Sequence, residues 1–134
     1  MELKKSYKGF VIWMLAFCML AISVCYLPIS SYEVMTRIVD NLCAFGITFL
    51  TFIIYKTEYV YWYSGISYEE ARETESERRK IFAWKHLKRF GFFSLMFFIF
   101  SIVAQILQVS VWIDIVILTV GFVIVALSTT HFKL

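Results

Sequence analysis

The sequence predicts an all-α polytopic membrane protein: an antiparallel four-transmembrane-helix bundle with a charged cytosolic helix between spans 2 and 3. Three observations carry this expectation. The chain is 60% hydrophobic with a mean hydropathy of +0.74, whereas a soluble domain is usually about 45–50% apolar. Four apolar runs, near residues 10–27, 38–55, 90–109 and 111–127, are each long enough to cross the hydrocarbon core of a bilayer. Every Lys and Arg except Arg37 falls in segments that a four-span threading puts on one side. Length allows a single membrane domain, 1–134.

The first run, Phe10 to Leu27, follows Lys4, Lys5 and Lys8 and is closed by Pro28. Ala21-Ile22-Ser23 has the small-x-small form of a signal-peptidase site. The run is long for a signal peptide, however, and Val24 before Cys25 suits lipoprotein cleavage badly, so the segment reads as an uncleaved span. Ile29 to Arg37 reads as a short connection. The second span, Ile38 to Tyr55, carries Asp40 and Asn41 near its start and leads into an aromatic belt of Tyr55, Tyr59, Tyr61, Trp62 and Tyr63.

Ser64 to Arg89 is the one long hydrophilic passage. Ser67 and Glu70 have the spacing of a capping box, which starts a helix over about 67–89. Acids precede bases along it, in agreement with the helix macrodipole. Glu75–Arg79 and Glu77–Lys80 stand at pairing distance. The stretch lacks a continuous apolar stripe, so it reads as solvated, either a separate linker helix or one continuous with the third span and bending most easily at Gly91, with Glu70, Glu73, Glu77, Arg78 and Arg79 as candidate partner-binding residues. The third span, Phe90 to Val109, turns tightly through Gln108-Val109-Ser110 into the fourth, Val111 to Leu127. The lysine and arginine asymmetry then places the protein in the cell membrane with both termini cytosolic.

In lipid, small and polar residues mark the packing seam of a helix. Seams run through Asn41, Ala44, Thr48, Thr51 and Tyr55; through Gly91, Ser94, Phe98, Ser101, Gln105 and Gln108; and through Asp114, Leu118, Gly121, Val125 and Ser128. Met14, Cys18, Ala21 and Cys25 form a weaker stripe on the first span. Stacking these seams collects Asp40, Asn41, Gln105, Gln108 and Asp114 into an outer polar layer, a candidate ion or proton site, since intramembrane carboxylates are rare and often functional. The structural reading of the same layer is two carboxylates stabilised at helix N-termini and two glutamines serving as interhelical glue.

No nucleophile–base pair, metal-ligand spacing or cofactor motif occurs, so the expectation is a non-enzyme without cofactor or metal. Cys18, Cys25 and Cys43 lie in apolar runs and read as packing residues, with a Cys25–Cys43 disulfide as the alternative. Nucleic acid is not an expected partner. The function expected is an interaction or accessory subunit in the lipid bilayer, self-associating as a homo-oligomer and presenting its charged helix to a cytosolic or membrane protein. The alternative is a small oligomeric channel or transporter built on the outer polar layer.

Overall fold

Helix ends set this architecture more than helix interiors do. In the computed structural model, which describes residues 3–63 and 65–134, the elements are α1 (Lys8–Cys25), α2 (Tyr32–Thr57), α3 (Tyr68–Glu73), α4 (Ser76–Ile106) and α5 (Val111–Thr129), with a 3-10 turn at Val60–Trp62. No strand occurs among the described residues. α1, α2, α4 and α5 are each long and apolar enough to cross a membrane, the character of a multi-pass membrane protein.

α2 begins well before the expected boundary. Ser31 caps it, accepting from the Val34 amide at 3.3 Å, and Glu33 lies in the first turn. Both features favour a helix start, and they draw Arg37 out of the supposed connection and into the helix. α2 stops where Glu58 turns left-handed at φ 62° while its amide still donates to Ile54.

Ser67 caps α3 as its spacing implies, accepting from the Glu70 amide at 3.0 Å. The helix expected over 67–89 is nevertheless two pieces. Thr74 and Glu75 are extended, and α4 then runs without a break from Ser76 to Ile106. The second half of the charged stretch and the third span therefore share one helix. α4 ends in a Schellman turn: Gln108 is left-handed at φ 53°, the Val109 amide reaches Ala104 O at 2.9 Å, and the Gln108 amide reaches Gln105 O at 3.4 Å.

α2 and α4 make the principal contact, through hydroxyls. Asn41 Nδ2 donates to Ser101 Oγ at 3.0 Å, Ser94 Oγ donates to Ala44 O at 2.9 Å, and the Thr48 and Ser94 hydroxyls are 2.6 Å apart. Between lipid-facing helices such bonds contribute roughly 0.6–2 kcal/mol each. α5 packs on both, and Gly121 admits the Phe93 ring: a Cβ at 121 would lie 2.3 Å from it.

α1 is the exception. It contains no buried residue and leans chiefly on α2. Trp13 Nε1 donates to Gly46 O at 3.1 Å, and the Phe17 ring lies where a Cβ on Gly46 would be 2.3 Å away. The stripe expected to face inward is thus rotated. Phe10, Trp13 and Phe17 face the protein, while Met14, Cys18 and Cys25 are exposed. All three cysteines are free thiols.

The linker is not simply solvated either. Leu3, Ile54, Val60, Tyr61, Ala71, Phe82 and Ala83 form a second core, with Phe132 and Leu134 packed against it. Tyr61 accepts from the Ser6 amide and donates to Ser6 O, both at 2.8 Å, and Tyr68 donates to Leu3 O at 2.8 Å. The two chain ends and the central linker therefore meet at one end of the long helices.

Candidate functional site: two buried arginine clamps

A guanidinium in hydrocarbon is costly unless it is paired and its donors are satisfied. Arg37, only 4% exposed, meets that demand. Its Nε donates to Asp114 Oδ2 at 3.1 Å and its Nη2 lies 3.5 Å from Oδ1. Nη1 donates to Gln105 Oε1 at 2.6 Å, and Nη2 also donates to Val109 O, a carbonyl of the Schellman turn. Asp114 is fully buried in the first turn of α5, behind the Ser110 cap. One side chain of α2 thus ties the end of α4, the turn and the start of α5 together.

Asp40 and Asn41 follow one turn along α2. Asn41 Nδ2 donates to Arg37 O at 2.8 Å as well as to Ser101. Asp40 is 9% exposed and within electrostatic reach of both Arg37 and Asp114. Its Oδ2 and the Oδ1 of Asn41 are buried without a hydrogen-bond partner. A groove of about 530 Å³ passes this cluster, with Arg37, Asn41, Ser101 and Gln105 at its polar end and Leu42, Phe45 and Phe98 among its apolar walls.

No family model, characterised protein or solved structure matches this chain. The geometry alone therefore carries the functional argument.

Of the outer-layer residues read from sequence, Gln105 and Asp114 bond the Arg37 guanidinium, Asn41 bonds its carbonyl, and Asp40 stands beside the pair. Gln108 does not join them. Its side chain is exposed, and its part in the structure is the left-handed backbone that stops α4. Arg37 was outside the expected layer. The signal for it was its isolation as the one basic residue outside the segments that a four-span threading groups with the chain ends, one helical turn before a carboxylate.

The second clamp mirrors the first. Arg79 donates from Nε and Nη2 to Glu58 Oε2 at 3.1 and 2.8 Å. Its Nη1 donates to Ala71 O at 3.2 Å and to Thr74 O. Those carbonyls are freed where α3 ends, so the guanidinium satisfies the break it spans. Glu58 Oε1 accepts from Ser76 Oγ at 2.7 Å and lies 3.6 Å from Lys80 Nζ. Burial alone would raise the Glu58 carboxyl, but the bonds from Ser76 and Arg79 and the charges of Arg79 and Lys80 outweigh it and hold it below its usual value.

This corrects the partner-binding set. Arg79 is 3% exposed and belongs to the fold, not to a docking face. Its ion-pair partner is Glu58 rather than Glu75, and Lys80 likewise reaches Glu58. Glu70, Glu73, Glu77 and Arg78 are exposed, with Arg78 Nη2 donating to Leu134 O at 3.1 Å. Among the described residues no group of His, Cys, Asp or Glu is arranged to hold a metal ion.

Proposed function

We propose that this protein is a non-enzymatic accessory subunit of the cell membrane. In this reading its four long helices cross the bilayer as an antiparallel set, both termini are cytosolic, and the acidic face of α3 is held out for a protein partner. The observation that carries this is the anchoring of α3. Ala71 is fully buried and Tyr68 is bonded to Leu3, while Glu69, Glu70, Arg72 and Glu73 of the same short helix are exposed. A six-residue helix is not stable by itself, so the effort of fixing it with a buried ion pair suits a surface that must be presented in one orientation. Self-association fits α1, whose free face carries Met14, Cys18 and Cys25.

The test is substitution rather than deletion, because removing 68–80 would also remove Arg79. Changing Glu69, Glu70, Glu73 and Glu77 to Lys is expected to leave the protein inserted and folded but to abolish co-purification of the partner in mild detergent. An unchanged set of co-purifying proteins would count against the reading. Oxidative cross-linking through Cys18 in native membranes reports on self-association in the same experiment.

A second reading has one observation in its favour. The unpartnered buried oxygens of Asp40 and Asn41 are acceptors waiting for a proton, a water or a cation, as a small oligomeric channel or transporter would require. Proteoliposomes containing the unmodified protein are expected to show no proton or cation flux under the accessory reading. Flux that Asp40→Asn abolishes would establish the transport reading instead.

A further inference from the structure

At the chain-terminal end of the long helices, a groove of about 500 Å³ runs between α4 and α5. Lys88 and Arg89 line it together with the apolar Phe92, Met96 and Ile124. Lys88 and Met96 are eight residues apart on one helix, about 12 Å along the axis. A groove with charge at one end and hydrocarbon along the rest has the polarity of a phospholipid.

The charge is unmet. No Asp or Glu occurs between Arg78 and Ile113 or after Asp114. Among the described residues neither Lys88 nor Arg89 forms an ion pair. The Arg89 guanidinium rests 5.4 Å from the Phe132 ring centroid, which orients it without neutralising it. The depth is also suitable. One turn before Lys88, Trp84 meets Tyr55 with ring centroids 5.6 Å apart, a pairing typical of the membrane–water interface. Ser128 lines the groove too. Its hydroxyl donates to Val125 O at 2.7 Å, leaving its lone pairs to accept from a headgroup hydroxyl.

We infer that the α4–α5 groove is a binding site for an anionic phospholipid, with the phosphate at Lys88 and Arg89 and an acyl chain along Phe92, Met96 and Ile124. Basic pockets between spans on the cytosolic side bind anionic headgroups by this chemistry. The site needs the multi-pass placement but not the α3 partner reading, and its failure would leave that reading untouched.

The experiment uses the full chain, delipidated and returned to nanodiscs of phosphatidylcholine with phosphatidylglycerol, with retained lipid counted by native mass spectrometry. Phosphatidylglycerol is expected to be retained over phosphatidylcholine. Lys88→Gln with Arg89→Gln is expected to weaken that preference by about thirtyfold, and Ile124→Trp is expected to expel the lipid with both charges intact. Lys4→Gln with Lys5→Gln is expected to change little. Equal retention of the two lipids would overturn the site. So would a loss in the Lys4/Lys5 variant as large as that at Lys88 and Arg89, which would mean a diffuse surface field.

Discussion

Replacing Arg37 with Met is expected to cost about 3–5 kcal/mol, the loss seen when one partner of a buried ion pair is removed. The magnitude follows from what is left behind. Asp114 is fully buried, Asp40 is nearly so, and Val109 O and Gln105 lose their donor. Unfolding from mixed micelles by increasing SDS measures the cost. The informative comparison is Arg37→Met combined with Asp114→Leu, because exchanging a whole buried pair for apolar residues is often neutral or better. The double variant is therefore expected to recover much of the stability that the single variant loses. Arg37→Lys is expected to fail, since an ammonium lacks the planar fork that reaches a carboxylate, an amide and a carbonyl at once. A single-variant cost below about 1 kcal/mol, the range of an exposed pair, would show that Arg37 is not the clamp its contacts describe.

Arg79→Ala is expected to have a comparable effect, about 3–5 kcal/mol, expressed at the other end of the molecule. It removes the buried partner of Glu58, itself 3% exposed, leaving the exposed Lys80 at 3.6 Å and the Ser76 hydroxyl, and uncovers the carbonyls of Ala71 and Thr74. α3 should then detach before the long helices separate. Limited proteolysis near Thr74 should accelerate while helix content in the membrane stays nearly constant. The same clamp predicts a pH dependence. The Glu58 carboxyl is held below its usual 4.5 in the folded protein. Its contribution to stability is therefore complete above that value and is lost as pH falls through it towards the lower folded value. Acid should release α3 in the unmodified protein, and Glu58→Gln should remove this pH response along with the clamp. Release of α3 with the same pH profile in Glu58→Gln would sink the account.

The long helices were legible because lipid imposes its own grammar of length and apolarity. So was much of their packing: Asn41, Ala44, Thr48 and Thr51 on α2, and Asp114 and Gly121 on α5, face the protein as the small and polar stripes imply. The α1 stripe misled because that helix meets only one main neighbour. Its contact is made by Trp13 and Phe17 closing on Gly46, and aromatic residues in a span carry no directional signal of their own. The two clamps were illegible for a different reason. Arg37 finds Asp114 across 77 positions and Arg79 finds Glu58 across 21, and helical spacing rules reach only one turn. The spacing that made Glu75 the natural partner of Arg79 could not register a carboxylate inside the aromatic belt. Gln108 had the right depth for the polar layer, but a helix stop required its backbone, which placed its side chain outside.

The closed Arg37–Asp114 pair also has an electrical meaning. A membrane voltage does work of about 2.3 kcal/mol per elementary charge for each 100 mV crossed. Guanidinium and carboxylate at one depth cancel, so a voltage of either polarity exerts almost no net pull on them. The clamp can therefore hold this end of the helices together without coupling its stability to the membrane voltage.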